Sequence, residues 1–336
     1  KTDEIIEENS TIVLSDSSDV IEENSIMVDS GSSPNEQMSS TNTNSNNSSS
    51  SKSKVFEENV LVKSYVDSLL EEVFSGTPLI DNEYYTVYKR YPRKAVDFTQ
   101  GLYFNTYSTL VESTGMYKSS LIKQYSFNNP DNIHWSIPLQ DKYFGEGVCQ
   151  YNNTIYQLTW KEKTILKYKV EQTGNLFNIS KEVPQAEGMI PTDASIREGW
   201  GITHDNQYLY ISDSSNTIKI ANLEDPELKT ERRIKVRKNI NDEVGIKQVN
   251  ELEFVKGKVW ANIWYKKDII VINPEDGIVE KTYNMSELVN YERKVGNYGM
   301  GRKMDVLNGI AYNERKDFFI LTGKWWIGMY AVQFKK

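Results

Sequence analysis

One pattern constrains this chain more than any other: a degenerate unit that recurs five times. Its first strand begins at QGLYF (100–104), EGVCQ (146–150), WGITH (200–204), NELEFV (250–255) and NGIAY (308–312), at intervals of 46, 54, 50 and 58 residues. Each start leads through a polar turn to a second run: TLVEST, TIYQLTW, YLYISDS, KVWANIW and DFFILTGK. A third follows: SSLIKQYSF, TILKYKV, TIKIANL, DIIVINP and IGMYAVQF. Short runs of Val, Ile, Tyr, Phe and Trp, broken by Asn, Asp and Gly, predict antiparallel strands joined by tight turns. A single such unit leaves both faces of its sheet uncovered. Five of them cover one another by packing face to face in a ring. The expected fold is all-β, a five-bladed β-propeller. A ring also needs its ends joined. The last repeat stops after its third strand, at Phe334, while EYYTVYKRY (83–91) has strand character and no partner. That N-terminal segment is expected to supply the outer strand of the last blade and close the circle.

The rest of the chain divides by composition. Residues 1–54 contain the run SSTNTNSNNSSSSKSK. With so few apolar side chains they cannot offset ordering entropy, which predicts a disordered, acidic, Asn/Ser-rich tail. Residues 55–76 predict an amphipathic helix, with Val60, Leu61, Tyr65, Leu69, Leu70, Val73 and Phe74 at helical spacing and an end near Gly76. Residues 77–336 form the propeller domain. The segment MSELVNYERKVGNYGMGRKM before the fifth repeat reads as an inter-blade insertion with a helical first half.

Charge and residue counts exclude several function classes. The net charge is −8, of which about −7 falls in residues 1–54. The near-neutral remainder has no basic stripe, so no nucleic-acid partner is expected. Cys149 is the only cysteine and allows no disulfide within the chain. His134 and His204, the only histidines, exclude a zinc site built mainly from imidazoles, while carboxylates leave calcium or magnesium open. No run approaches the roughly 20 apolar residues of a membrane helix. The sequence starts at Lys1 rather than Met, so an upstream targeting segment stays open, and glycosylation triplets occur at Asn152, Asn178 and Asn284.

A propeller gathers one end of its inner strands around the axis. The repeat starts contribute Gln100, Glu146, Trp200, Asn250 and Asn308; the ends of the second strands contribute Thr114, Trp160, Ser214, Trp264 and Lys324. One carboxylate, one lysine, several amides and three indoles would then converge. Taken singly, each has an ordinary structural reading: a turn glutamate, core tryptophans, a solvated lysine. Together they describe a pocket with apolar walls and orienting polar groups. A Glu in such a pocket has its pKa raised by desolvation and can exchange protons near neutral pH. A neighbouring Lys opposes that shift and stabilises a developing oxyanion. No Ser-His-Asp or Cys-His set is available there, so no covalent enzyme intermediate is expected.

At these residues the sequence resembles the plant and bacterial glutaminyl-peptide cyclotransferases, or glutaminyl cyclases. The matching strings are DFTQGL (97–102), ESTGMYKSS (112–120), FGEGV (144–148), EGWGIT (198–203), NELEFVKGKVWANIW (250–264), DVLNGIA (305–311) and LTGKWW (321–326). They run from about Tyr85 to Phe334. The resemblance implies a five-bladed propeller and an acyltransferase that converts the N-terminal glutamine of peptides and proteins to pyroglutamate, releasing ammonia. It implies catalytic roles for Glu146, Lys324, Asn250 and Trp264, and a substrate pocket of Phe98, Gln100, Phe144, Trp160 and Trp200. No catalytic metal or other cofactor is implied; a structural calcium ion in the axial channel stays open. A monomer in the secretory pathway or outside the cell is expected. Two other classes stay open at this point, a calcium-dependent propeller hydrolase or lactonase and a non-catalytic protein-binding propeller.

Overall fold

The computed structural model describes residues 47–94, 97–171, 176–177, 180, 182–296, 298 and 304–335, with side chains from residue 59 onward. Most of the segment read as a disordered tail, residues 1–46, lies outside the described residues. The helix α1 (Asn47–Glu72) starts inside that segment, eight residues before the expected boundary at 55, and ends before Gly76.

The repeats fold into five antiparallel sheets. Blade 1 is Thr99–Phe104, Thr109–Thr114, Leu121–Ser126 and Asn129–Pro138. Blade 2 is Gly145–Tyr151, Thr154–Thr159, Thr164–Lys169 and Gln185–Pro191. Blade 3 is Ile202–His204, Tyr208–Ile211, Thr217–Asn222 and Thr230–Lys235. Blade 4 is Val249–Val255, Lys258–Ile263, Asp268–Ile272 and Val279–Asn284. Blade 5 is Leu307–Asn313, Phe318–Gly323 and Gly328–Phe334, completed from the other end of the chain by Tyr85–Pro92. That closing strand pairs antiparallel with Gly328–Phe334, from Tyr85 opposite Phe334 to Pro92 opposite Gly328. A two-residue strand, Ile80–Asp81, adds to its outer edge.

The hydrophobic core is divided by the same fivefold logic. Each of the five interfaces between neighbouring blades holds one buried apolar cluster. Side chains alternate across each strand, so both sheet faces are apolar and each face needs a neighbour. The cluster between blades 5 and 1 also receives Val66, Leu70 and Val73 of α1 and the turn after it. Asp67 pairs with Arg315 at 3.0 Å and Glu72 with Lys89 at 2.9 Å. The docked face of α1 is therefore its C-terminal half. Val60, Leu61 and Tyr65, expected on the apolar face, are exposed. The insertion before the fifth repeat contains α2 (Ser286–Val295), as its periodicity predicts.

Inner strands approach the axis closely. A Cβ on Gly147 would stand 2.6 Å from the Trp200 carbonyl oxygen, and one on Gly201 would stand 2.1 Å from that of Asn250. Neither distance is compatible with a side chain, so these glycines are requirements of ring closure. Blade 4 carries Glu251 at this level instead. Its carboxyl reaches across the channel and accepts the N–H of Ile310 at 3.0 Å and of Leu102 at 3.4 Å.

Candidate active site

Four inner strands carry a bulge at their first residues, between Thr99 and Gly101, Gly145 and Val148, Val249 and Leu252, and Leu307 and Ile310. A bulge re-aims a side chain out of the sheet. The residues inside these four bulges include Gln100, Glu146, Asn250 and Asn308, so the repeat alignment placed equivalent residues at equivalent backbone positions. Thr99 opposes Thr114, Gly145 opposes Thr159, Val249 opposes Ile263 and Leu307 opposes Gly323. The next residues, Gly115, Trp160, Trp264 and Lys324, each donate a backbone N–H back to the start of the blade. The blade 1 equivalent of Trp160 is thus Gly115, not Thr114. Thr114 is buried, and its Oγ1 bonds the backbone of Leu121. A Cβ at Gly115 would lie 2.2 Å from the ring of Phe144, so the missing side chain is the space that Phe144 fills.

Glu146 and Lys324 are both buried, each only 4 % exposed. Neither the Glu146 carboxyl nor the Lys324 ammonium makes a hydrogen bond or ion pair with another described residue. Burial pushes the Glu146 carboxyl well above the usual carboxylate range; Lys324 opposes this, while the charges of Glu198 and Glu162 add to it. Burial likewise pulls the Lys324 ammonium down, against the attraction of Glu146 and Asp305. The Lys324 Nζ sits 4.8 Å from the centre of the Phe98 ring. An acid made weaker and a base made weaker, close enough to act on one another, form the kind of pair through which protons move near neutral pH.

The aromatic residues form two packed groups, which Glu198 bridges. Phe98 packs edge-on to Phe144 at 6.1 Å, and Phe144 packs against Trp160 at 5.5 Å. Trp200 meets Trp264 edge-on at 5.3 Å. One carboxylate oxygen of Glu198, Oε2, accepts the indole N–H of Trp160 at 3.0 Å and of Trp200 at 3.1 Å. The indole N–H of Trp264 has no partner among the described residues. Two of the three tryptophans are therefore walls with their polar edge already occupied, and the third has a donor to offer. Gln100 and Asn250 are each 2 % exposed, and the side-chain oxygens of both lack a partner. The Asn308 oxygen is buried without a partner too, but its Nδ2 donates to the Thr99 carbonyl at 2.9 Å, so it joins blade 5 to blade 1. Ser214 stands at the blade 3 corner beside Asp213, which is paired with Lys219.

A buried ionic cluster supports this pocket from behind. Arg93 Nη1 holds Glu112 Oε1 at 2.9 Å, and Lys123 Nζ holds Asp97 Oδ2 at 2.8 Å. Thr99 and Tyr125 donate hydroxyl hydrogen bonds to Glu112 at 2.6 and 2.9 Å. Arg93 Nε also donates to the Trp326 carbonyl at 2.9 Å, and Trp325 N–H donates to the Asp97 carbonyl at 2.8 Å. The cluster therefore fastens the Asp97–Phe98 segment to the loop after Lys324. Burial works against the Glu112 charge, but Arg93 and Lys123 prevail and hold its pKa at about 2.

Sequence reasoning missed Glu198, Trp325 and Tyr117. Trp325 packs on Phe98 at 5.3 Å, and Tyr117 packs on Phe144 at 5.4 Å while donating to Glu162 at 2.7 Å. The signal for Glu198 was its place two residues before Trp200, the position equivalent to Phe98 and Phe144 in blades 1 and 2. Seven of the nine residues expected at the site belong to these two rings of strand ends, and Phe98 and Phe144 stand two residues before the first ring. Among the described residues, no three His, Cys, Asp or Glu side chains group as metal ligands, and no helix is long and apolar enough to cross a membrane.

Residues 64–334 match the model of the glutamine cyclotransferase family. The chain is 30% identical over 250 residues to a glutaminyl-peptide cyclotransferase of Arabidopsis thaliana, covering 74% of this chain and 71% of the relative. Its fold is similar to the crystal structure of Myxococcus xanthus glutaminyl cyclase, with a TM-score of 0.62 and 25% identity, over 75% of this chain and 96% of that one. With a family match that spans all five blades and the helix end that docks on them, the chain belongs to the glutamine cyclotransferase family.

Proposed function

We propose that this protein closes the N-terminal glutamine of peptides and proteins to pyroglutamate, with Glu146 carrying the proton. The reaction follows from the family and its named relatives; the roles of individual residues are our reading of the pocket. The substrate α-amine attacks its own side-chain amide carbon. A C–N bond forms, a five-membered ring closes, and the C–N bond to the leaving nitrogen breaks with release of ammonia. Because the reaction is intramolecular, the protein's task is to hold a near-attack conformer and to move protons.

Glu146 takes a proton from the α-amine and returns it to the departing nitrogen. A carboxyl raised by burial suits both halves of that transfer, worth roughly 10²–10⁴-fold. Lys324, the Asn250 amide and the free indole N–H of Trp264 hold the amide oxygen as it gains negative charge. One such donor contributes on the order of 3 kcal/mol. Gln100 orients the peptide carbonyl that follows the glutamine. Phe98, Phe144, Trp160 and Trp200 exclude water. No step here calls on a metal ion.

The observation that carries the assignment of roles is the burial of Glu146 and Lys324 without direct partners. Paired structural charges would be bonded to one another; these two wait for a substrate. Glu146→Gln tests it. The variant should keep the wild-type unfolding transition and lose ammonia release from a Gln-initiated peptide, read by a coupled ammonia assay. Turnover near the wild-type rate would remove Glu146 from the mechanism.

A further inference from the structure

The ring has a second mouth. The inner strands run from the pocket just described to the opposite face, where their last residues surround a cavity of about 390 Å³. All five blades contribute to it, among them Phe104, Gln150, His204, Phe254 and Asn313. None of the residues assigned to the cyclisation site lines it.

The cavity is rich in acceptors. Asp205, Glu253 and Glu314 border it, and among the described residues no lysine or arginine does. Glu253 uses Oε1 to accept the N–H of Tyr312 at 3.0 Å, and Oε2 has no partner among the described residues. Asn313 is 1 % exposed and donates Nδ2 to the Tyr107 carbonyl at 2.9 Å, while its Oδ1 is left without a donor. His204 adds no positive charge. Its Nδ1 accepts the Asn206 N–H at 3.1 Å, which leaves Nε2 to donate to the Gln150 carbonyl at 2.7 Å. Burial without a compensating cation lifts the Glu253 carboxyl to about 8. A buried acceptor that lacks a donor costs stability and marks a place where a donor is expected.

Aromatic and acidic groups together select the donor. A hard metal ion needs several oxygens converging on one point, and no group of metal ligands converges among the described residues. Phe104 and Phe254 instead put apolar rings into its lining. These suit a cation on an aliphatic stem, with the stem against the rings and the charge on the acceptors. We propose that this second mouth is a binding site for a primary alkylammonium group, held by Glu253 and the Asn313 carbonyl.

Two sources supply that group, a free polyamine and a lysine side chain of a polypeptide, and calorimetric titration separates them. Spermidine and the blocked peptide acetyl-Gly-Lys-Gly-amide would each be titrated into the full chain at low salt. At least one should saturate with a Kd below about 1 mM. The affinity should fall tenfold or more in Glu253→Gln and in Glu314→Arg, whose exposed position spares the fold. Both variants should keep wild-type cyclisation, which also separates this proposal from the assignment of the first site. Binding of spermidine alone identifies a polyamine site; binding of the peptide as well identifies a lysine-accepting one. The proposal is overturned if neither probe saturates, if both variants bind as the wild type does, or if calcium chloride saturates the site at lower concentration than either probe.

Discussion

Replacing Glu112 by Gln should cost the fold about 3 kcal/mol at neutral pH, and the loss should shrink in acid. The carboxyl lies at the seam where blade 1 meets blade 5, with no exposed surface. Its pKa falls from 4.5 to about 2 in the fold, because Arg93 and Lys123 outweigh the burial that opposes its charge. At about 1.36 kcal/mol per tenfold change in proton affinity, that difference amounts to about 3 kcal/mol. The folded pKa is depressed, so this stability is fully present above 4.5 and lost as pH falls through 2. At pH 3, about 1 kcal/mol should remain. The amide keeps the shape but leaves Arg93 buried with a weaker partner, in line with the roughly 3–5 kcal/mol cost of breaking a buried ion pair. Urea unfolding of wild type and variant, at pH 7 and at pH 3, reads both numbers. A difference that is the same at the two pH values would refute the reasoning, since it would show that the Glu112 charge contributes nothing and only packing was lost. The same cluster holds the segments that bear Phe98 and Lys324. The variant should therefore also lose cyclisation activity under conditions where it is still folded.

Glu198→Gln keeps an acceptor for the two indoles but removes a charge that raises the Glu146 pKa. The acid limb of the kcat/KM profile should move to lower pH, whereas a purely structural Glu198 would leave the limb in place. Trp264→Phe removes an indole donor that has no partner among the described residues and should lower kcat by about 10- to 100-fold, with a smaller change in KM; a pure KM effect would make Trp264 a wall like Trp160. Gly115→Ala puts a methyl group where the Phe144 ring lies, 2.2 Å away. It should destabilise the chain by about 1–3 kcal/mol and raise KM, measured by thermal unfolding and initial rates.

The fold was legible because a propeller writes its geometry into the chain several times over. A repeat of short strands cannot bury its faces alone, so counting the repeats counts the blades. The closing strand was legible for a related reason: Tyr85–Pro92 had strand composition without a neighbour, and Gly328–Phe334 had a free edge. Helix α1 was read less well. Periodicity reports which residues lie on one face but not how far the partner surface extends. Blades 1 and 5 cover only its last turns, leaving Leu61 and Tyr65 exposed although they continue the apolar pattern.

The site shows where such reading stops. The repeat located both rings of residues, yet it treated equivalent positions as equivalent in role. Glu146, Asn250 and Asn308 share a place in three blades. Only the hydrogen bonds separate them: Asn308 commits its amide N–H to joining blades, while the Asn250 amide N–H has no partner among the described residues, although both keep a buried oxygen without a donor. The three indoles divide in the same way, because Glu198 occupies two of them and not the third. A side chain's chemistry follows from what its neighbours leave unsatisfied. Those neighbours come from other blades, 38 residues away in the case of Trp160 and Glu198. The alignment compares each blade with the next and says nothing about such cross-blade bonds. A propeller sequence thus reveals where its catalytic groups gather before it reveals which of them are free to act.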